Sequence, residues 1–454
     1  MSCLKSRRGI ALIVSMIFVL VFSALGLAMA AMSGANVQVA NNHRKVNLAL
    51  GSAESGLEVM RYWLDPVMMP SSTPTSDWFN TIVDVVQDEL ASNSVYNVTL
   101  ADSGYIAPVT LDSSAGSSFR AFMWIDPSLP AILNLYVRGS GGNNITRRIR
   151  TNFIVGPYEH PIFNYGLATK GPINFVNNPT LTGVTDNWEA DIYVEASGAA
   201  TAVTVGGNTN FDGNINIGNP AATVDFQGDV QIAGDHGQPA IDNHVTFGAD
   251  AVDFPTPDAN HFLPYVTGPT MDGTEDLTKG ITLANMTIPA GMDPNFEGAV
   301  TINGILFVEP PNTVNFGSNV TLNGIIVAAG DLASPGSNSL TFGGNFDTGP
   351  YPPDPIFDPI RHETGSSIIA PGFSASFEGN FSTLEGVMAV SGIHFSANCT
   401  ALIKGTIVNY SDSPAVVEGN VTMNFDRINA SKIPAGFDTF RVLHYDPSSY
   451  DIVH

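Results

Sequence analysis

The sequence has few of the residues that would stabilise a small secreted scaffold or bind nucleic acid. It contains only two cysteines in 454 residues, so a framework of disulfides is excluded. Lys and Arg number 18 against 42 Asp and Glu, which gives a formal net charge of −24. Nucleic-acid binding needs clustered basic side chains to neutralise phosphates, so this balance argues against that class of partner. With 44% apolar residues, the chain is also not a disordered one.

The negative charge is confined to one part of the chain. Residues 1–159 carry 11 basic and 11 acidic side chains, whereas residues 160–454 carry 7 basic and 31 acidic ones. The length of 454 residues predicts two or three domains. We therefore expect a neutral N-terminal part and an acidic C-terminal part.

An uncharged run of 23 residues, 10–32, follows Lys5, Arg7 and Arg8. A bilayer core of about 30 Å is crossed by about 20 apolar residues in a helix. Because the nearest basic cluster precedes the run, we expect a cytoplasmic N-terminus, a single pass through the inner membrane, and export of the rest. A cleaved secretory signal is the alternative, since Ala28-Met29-Ala30 is a small-residue cleavage site. However, the run is longer than the usual apolar region of a signal peptide.

The helical pattern continues beyond the apolar run. Apolar residues recur at steps of three and four between Ala35 and Leu64, and the first proline is Pro66. The residue before a proline is disfavoured in the α region. The pattern predicts one helix over residues 10–64, about 80 Å long, with a membrane-spanning first half and an amphipathic second half.

Short motifs lie at both ends of this predicted helix: Arg7-Arg8-Gly9 before Ile10-Ala11-Leu12-Ile13-Val14, then Leu48-Ala49-Leu50 and Ala53-Glu54-Ser55-Gly56-Leu57. They resemble the PilX-type minor pilins of type IV pilus assembly over about residues 7–64. The signature residues of the resemblance are Ala49, Leu50, Ala53, Glu54, Gly56 and Leu57. The resemblance implies cleavage by a prepilin peptidase between Gly9 and Ile10. It also implies that the partners are other pilin subunits or pilus assembly components. The exported part of the chain would then lie in the periplasm or at the cell surface.

One residue departs from the pattern of the major pilins. Val14 is the fifth residue counted from Ile10, where the major pilins carry Glu. Some PilX-like proteins also lack this carboxylate. The departure favours a minor or accessory subunit over a bulk filament component.

Residues 65–158 are expected to form a small α+β region. An amphipathic helix should begin near Asp77 as its N-cap, with one apolar face formed by Trp78, Ile82, Val85, Val86 and Leu90. Period-2 patterns predict strands at Tyr96–Leu100, Phe119–Ile125, Ile132–Arg138 and Ile145–Val155, the last two joined through a Gly139–Asn144 loop. The densest basic cluster is Arg147, Arg148 and Arg150. It could bind an acidic partner such as a neighbouring subunit, or simply be a solvated strand face.

From about Pro161 the sequence repeats. Residues 296–308 and 316–327 align without a gap at an offset of twenty residues. Related units begin at Phe211, Phe226, Phe377, Phe395 and Val417. Repeats of this length, with period-2 alternation, predict a stack of short strands. We expect a parallel β-helix, wound right-handed and of bactofilin-like or pectin-lyase-like type, in which Val300 lies beneath Val320 and Ile302 beneath Leu322.

Three further segments interrupt or follow the repeat. Asp253–Lys279 and Asp347–Thr364 are rich in proline and acid, and we expect them to project as loops that either bind a partner or merely decorate the surface. The tail from Lys432, which includes Phe440 and Tyr445, is expected to cap an open end of the stack.

Candidate chemistry is sparse. Asp235-His236-Gly237 is the fragment nearest to a catalytic turn, and no paired acid or base is evident one repeat away. His236 and His244 could meet on neighbouring coils, but nine scattered histidines offer no short metal-ligand spacing. Acidic turns could bind Ca²⁺ weakly; otherwise we expect no cofactor and no metal. Cys399 is expected to be a small inward-facing residue of the repeat.

The predicted chain is mainly β after a long N-terminal helix. It divides into a cytoplasmic leader (1–9), the helix (10–64), an α+β pilin-like region (65–158), a parallel β-helix (159–426) and a C-terminal cap (427–454). Our main hypothesis is a non-enzymatic pilus-associated protein, displayed at the surface for subunit assembly or for adhesion to a polysaccharide, host or substrate surface. The alternatives are an exported carbohydrate-active β-helix, acting as a lyase or hydrolase, and a scaffold that polymerises through the ends of its solenoid.

Overall fold

The computed structural model describes residues 8–95, 98–142, 145–332, 336–396, 400–437 and 439–453. The chain forms two compact units. The first unit combines Met1–Pro157 with Phe440–His454, and the second, which we name the solenoid, is Tyr158–Thr439. The solenoid is therefore inserted into the sequence of the first unit.

Helix α1 extends over Arg8–Leu64, 57 residues or about 85 Å, and confirms the single long helix expected over residues 10–64. It ends two residues before Pro66, where a short strand, β1 (Met68–Pro70), begins the rest of the unit. Helix α2 (Trp78–Ser92) follows a 3₁₀ turn at Thr75–Asp77.

The apolar face of α2 is close to the one expected. Its buried residues are Trp78, Ile82, Val83, Val86 and Leu90, so Val83 is buried where Val85 was expected. Asp77 occupies the N-cap position, but its side chain makes no capping hydrogen bond. The indole Nε1–H of Trp78 instead donates to the carbonyl of Thr73 at 2.9 Å, which holds the start of the helix.

The first unit contains one antiparallel sheet. Its remaining strands are β2 (Tyr105–Asp112), β3 (Ser117–Asp126), β4 (Leu129–Gly141), β5 (Thr146–Pro157) and a C-terminal strand, Phe440–Val453. The strand order is β1, C-terminal strand, β5, β4, β3, β2. Alternate residues such as Phe119, Leu135 and Ile149 are buried in one cluster with the second half of α1 and with α2.

Two predictions in this region are corrected. Residues 98–100 form no strand; Leu100 makes only an isolated bridge with Ile106, and residues 96–97 lie outside the described residues. The strand that the pattern missed is β2, whose Pro108 breaks the alternation and is tolerated because β2 is an edge strand. The predicted loop from Gly139 is shorter than expected, because β4 continues to Gly141.

The solenoid is built of short strands. They are β6 (Leu167–Thr169), β7 (Ile173–Asn177), β8 (Thr180–Gly183), β9 (Ile192–Val194), β10 (Thr201–Gly206), β11 (Thr209–Phe211), β12 (Ile215–Ile217), β13 (Thr223–Phe226), β14 (Val230–Ile232), β15 (Asp235–His236), β16 (Val245–Phe247), β17 (Ile281–Ile288), β18 (Asn295–Phe296), β19 (Val300–Val308), β20 (Thr313–Phe316), β21 (Val320–Ala328), β22 (Ser339–Phe342), β23 (Phe346–Thr348), β24 (Ser366–Ala370), β25 (Ser374–Phe377), β26 (Phe381–Glu385), β27 (Val387–Val390), β28 (Ile393–Ser396), β29 (Thr400–Lys404), β30 (Ile407–Asn409), β31 (Ala415–Gly419) and β32 (Thr422–Phe425). Helix α3 (Gln238–His244) and 3₁₀ turns at Pro161–Asn164, Asn187–Ala190, Ala259–Tyr265 and Pro355–Ile360 complete it.

The strands stack in parallel, as a β-helix requires. One sheet has nine strands in the order β13, β10, β7, β31, β28, β25, β22, β20, β18. The others form an eighteen-stranded network that is parallel except where β14 meets β15. The inward side chains of both sheets make one buried cluster, in which five phenylalanine rings stack at 4.8–5.1 Å: Phe296, Phe316, Phe342, Phe377 and Phe395.

The order of the rungs does not follow the order of the chain. Strand β7, the first of the nine-stranded sheet in sequence, lies between β10 and β31 rather than at an end. From β7 the chain adds β10 and β13 outward. It then passes to β18 at the opposite end and returns rung by rung until β31 pairs with β7. Both connections to the first unit therefore leave from the interior of the stack.

The two ends of the solenoid chain are joined by Arg427. Arg427 is 4% exposed, and its guanidinium donates to the carbonyls of Asn164 (2.9 Å) and Gly405 (3.0 Å). The buried carboxylate of Glu189 accepts from the backbone N–H of Arg427 at 2.6 Å and of Thr185 at 2.7 Å. Burial lowers the pKa of Arg427 to about 10, so the side chain remains charged at neutral pH and every described contact is a charge-assisted hydrogen bond.

The two proline- and acid-rich segments do not project as loops, which corrects our expectation. Phe262 of the first and Phe357 of the second are buried against the outer face of the stack, beside Ile305 and Ile325. The first segment runs along the stack as a strap. Val252 N–H donates to the Tyr193 hydroxyl at 3.2 Å near its start, and Gly268 N–H donates to the Asn285 carbonyl at 2.9 Å near its end. The strap connects β16, at one end of the stack, to β17, at the opposite end.

The C-terminal tail does not cap the solenoid beyond residue 439, so that expectation is also wrong. The C-terminal strand pairs with β5 of the first unit, with Arg441 opposite Pro157 and Val453 opposite Arg148. This pairing is possible because both connections of the solenoid leave its interior. Phe437 forms an antiparallel bridge with Pro257 of the strap, so the residues up to Phe437 do remain with the solenoid.

Candidate membrane anchor and assembly surface

The first half of α1 is available for contact with a membrane or other helices. Residues 11–44 are all exposed, including Phe18, Leu27 and Val39 at more than half of their side-chain surface. The helix is long and apolar enough to cross a membrane as a single span. Val14 is 44% exposed on this surface. Gly9 and Ile10 lie in the first turn of α1, and cleavage between them stays a prediction.

The second half of α1 packs against the sheet of the first unit, and most of the signature residues form that contact. Ala49 and Ala53 are fully buried and Leu57 is 4% exposed, while Leu50 is half-buried. Glu54 is exposed on the opposite side. The signature is therefore mainly a packing motif, with Glu54 its only member on the free face.

Small residues allow α1 and β4 to approach closely. A Cβ at Gly139 would lie 2.2 Å from the carbonyl oxygen of Ala49, so only glycine fits at this crossing. The hydroxyl of Ser52 donates both to Leu48 within the helix (2.8 Å) and to the carbonyl of Ser140 on β4 (3.1 Å). The helix is thus fixed to the sheet by backbone proximity, which positions the free first half.

The predicted basic cluster is divided between the two faces of the sheet. Arg147 lies opposite Gly139, the residue that contacts α1, whereas Arg148 and Arg150 alternate to the other face. The structure instead brings Arg148 into register with Arg138, which sequence proximity could not indicate.

The fragment Asp235-His236 lies near one end of the solenoid, and its side chains form polar contacts with neighbouring surface residues. His236 pairs with Asp229 at 3.0 Å, and His244 approaches Asp235 at 3.3 Å. No group of three or more His, Cys, Asp or Glu side chains placed for a metal occurs among the described residues. Weak Ca²⁺ binding stays a prediction, and Cys399 lies outside the described residues.

A groove that the sequence did not indicate lies on the solenoid. Its volume is about 370 Å³, and its lining includes Glu385, Lys404 and Asp426 together with residues 429–431. Glu385 and Lys404 are paired residues of β26 and β29, and Asp426 directly follows β32, which pairs with β29. The three charges come from successive rungs, so only the alignment of the repeats, and no local motif, could have found them.

A carboxylate joins the strap to the second insertion. Glu363 accepts hydrogen bonds from His261 Nε2 (2.8 Å) and from the Tyr265 hydroxyl (2.5 Å). Burial acts to raise the pKa of Glu363, but the hydrogen bonds from His261 and Tyr265 outweigh it and hold that pKa below its ordinary value. The hydrogen bond to Glu363 in turn raises the pKa of Tyr265 to about 12.

Comparison with known proteins places the N-terminal segment. The family model described as PilX N-terminal matches residues 8–58, which covers the signature residues and most of α1. Residues 8–58 are thus similar to the N-terminal segment of PilX-type pilins. No curated protein matches the chain.

Among solved structures, the competence-associated pilin ComZ from Thermus thermophilus is similar. It is 12% identical, with 90% of this chain and 97% of that chain covered, at a TM-score of 0.23. A TM-score this low does not establish a common fold.

Proposed function

We propose that this chain is a non-enzymatic, membrane-anchored subunit of the minor pilin class. It associates with a type IV pilus through α1 and displays an acidic solenoid for assembly or adhesion. In this proposal a prepilin peptidase cleaves between Gly9 and Ile10, and other pilin subunits pack against the exposed part of α1. The bulk of the chain is exported, with the N-terminus cytoplasmic.

The observation that carries the proposal is the place of the insertion. Pro157 and Arg441, which flank the solenoid, are paired residues of neighbouring strands. A large acidic unit has therefore been added without interrupting the sheet that packs on α1. An anchored helix–sheet unit that carries a separate cargo unit is what a display subunit needs.

The position of the mature N-terminus tests the proposal. We would co-express the full chain with a prepilin peptidase and determine its first residue by mass spectrometry. A chain beginning at Ile10 supports the proposal, and one beginning at Ala31 replaces it with a secreted protein. A Gly9→Val variant should abolish processing, whereas Gly26→Val, a matched change further along the helix, should leave it intact.

Export and association with filaments are tested in the same cells. Protease added to intact cells should degrade residues beyond α1, and shearing should release the protein together with filaments. Retention of the processed chain in the membrane after shearing would favour a role in assembly over incorporation.

The groove at Glu385, Lys404 and Asp426 favours one second candidate function, the binding or cleavage of a polysaccharide. Two carboxylates flanking an ammonium group can hold and polarise a sugar or uronic acid unit. Assays of the full chain on acidic and neutral polysaccharides decide this. Turnover lost in Glu385→Gln, or in Asp235→Asn or His236→Gln, would replace the non-enzymatic proposal.

Polymerisation through the end of the solenoid that contains β16 is disfavoured by helix α3. Helix α3 packs against β14 and β16 and buries Ala240 there, so a second solenoid could not add without displacing it. Sedimentation of the full chain in detergent would detect filaments if this expectation is wrong.

A further inference from the structure

Three arginines from three adjacent strands form one row on the outer face of the first unit's sheet. Arg120 of β3 is opposite Arg138 of β4, and Arg138 is opposite Arg148 of β5. Neighbouring strands lie about 4.8 Å apart. The buried residues Phe119 and Val137 flank this row in sequence, so the arginines point away from the core.

Like charges placed directly opposite on a sheet destabilise it. None of the three arginines has a carboxylate within ion-pair distance among the described residues, and the row ends at Val453 rather than at an acid. By contrast, Arg150 on the same face is opposite Asp451. The row is therefore a concentration of positive charge that the described part of the chain does not neutralise.

The neighbouring rows add the other groups that an acidic ligand would use. On one side four hydroxyl residues are in register: Thr110, Ser118, Ser140 and Thr146. Between these two rows lies a concave site of about 220 Å³. On the other side Phe122 is opposite Tyr136, and Phe122 stacks on Trp124 at 5.5 Å. Arginine, tyrosine and tryptophan are the residues that most often dominate protein interfaces.

We propose that this face, which we name the arginine face, binds the acidic solenoid of a second copy of the chain. Charge complementarity identifies the occupant. The solenoid, residues 158–439, contains 6 basic and 30 acidic residues, whereas the first unit contains 12 of each. Guanidinium groups bind carboxylates with charge-assisted, often bidentate hydrogen bonds, and the hydroxyl row supplies further donors. Contact between unlike surfaces would link copies head to tail.

This inference deepens the proposed assembly role by naming the partner surface. Its test uses the full chain in a mild detergent, with one copy immobilised and another in solution, followed by biolayer interferometry. We expect wild-type self-association to weaken steeply as NaCl rises from 50 to about 500 mM, because salt screens exposed charges. The triple variant Arg120→Gln, Arg138→Gln, Arg148→Gln should bind itself at least about tenfold more weakly.

Mixing the two proteins tests the direction of the contact. Wild type should bind the triple variant within about twofold of its own self-affinity, since one arginine face and both solenoids remain. Equal loss in the mixed and variant-only pairs would instead mean that the face binds itself, and would overturn the proposal. The control Arg61→Gln, Arg441→Gln removes charge elsewhere in the first unit and should leave self-association unchanged.

The variant should fold, because removing opposed like charges does not create a cavity. We expect its thermal midpoint to equal or exceed that of the wild type. Unchanged self-association in the triple variant would overturn the proposal. If the triple variant also loses binding to phosphatidylglycerol vesicles or to polygalacturonate, the arginine face would instead be assigned to a lipid or to a polysaccharide.

The two proposals fail separately. A mature chain beginning at Ile10 whose self-association ignores the arginines would leave the pilin-type function standing without this contact. A chain beginning at Ala31 whose self-association requires the arginines would contradict the pilin-type function and leave the contact of the arginine face standing.

Discussion

Val320 lies directly opposite Val300 in neighbouring parallel strands, and each side chain is 1% exposed. The adjacent residue Thr321 is exposed and has Thr301 on one side and Asp347 on the other. Adjacent residues of β21 therefore face opposite sides, Val320 toward the apolar interior of the stack and Thr321 toward solvent.

We predict that Val320→Asn destabilises the solenoid by about 3 kcal/mol or more, because it removes buried apolar surface and leaves an amide without partners. The matched change Thr321→Asn should cost less than about 0.5 kcal/mol, since exposed substitutions away from special features are tolerated. Thermal unfolding followed by circular dichroism measures both. Equal effects would show that the register is wrong.

Arg427→Met should destabilise the solenoid by about 3–5 kcal/mol, because it leaves the carbonyls of Asn164 and Gly405 and the nearby Glu189 without their buried charged partner. The control Lys432→Met also removes one positive charge, from an exposed pair with Glu159 at 3.4 Å. That change should cost no more than about 1 kcal/mol. Similar losses in the two variants would mean that Arg427 does not join the ends of the stack.

Two glycine substitutions in the first unit should act in opposite directions. Gly139→Ala places a methyl 2.2 Å from the Ala49 carbonyl and should force α1 from the sheet, at a cost of several kcal/mol. Gly51→Ala meets nothing within 4 Å and should stabilise the helix by about 0.5–1 kcal/mol. The thermal midpoint of each variant, measured in detergent, tests both expectations. A stabilising Gly139→Ala would contradict the close crossing of helix and sheet.

The strap should loosen in acid. The pKa of Glu363 is lower folded than unfolded, so its contribution is present above the unfolded value of about 4.3 and is lost as pH falls through the folded value. We expect faster proteolysis of the strap below about pH 4. Glu363→Gln should make cleavage rapid at pH 7 and largely remove its pH dependence. Glu378→Gln, at an exposed carboxylate, should leave the wild-type pH profile unchanged.

The sequence was informative where the structure depends on local periodicity. The helical spacing up to Leu64 predicted α1, and the twenty-residue offset predicted that Val300 and Val320 would be paired. Both features repeat at a fixed step, so the burial of each residue follows from its neighbours in the chain. The anchor part of the candidate site was predictable for the same reason.

The surfaces that join distant segments were not predictable. Arg120, Arg138 and Arg148 form one row only because three strands pair in a particular register. Glu385, Lys404 and Asp426 share a groove only because three rungs stack. Phe262 and Phe357 were expected in loops, since their proline- and acid-rich surroundings are typical of exposed segments.

The amino-acid sequence by itself determined which residues of the second half of α1 and of the repeated strands face inward, because helical spacing and alternation are local properties of the backbone. Only the tertiary structure decided the order of the rungs, the course of the strap and the pairing of Arg441 with Pro157. Each rung presents similar strand edges to its neighbours, so the repeat does not specify which rung lies beside which. Closure of the stack through β7 and β31, held by Arg427, selects one order and brings the chain ends back to the same sheet.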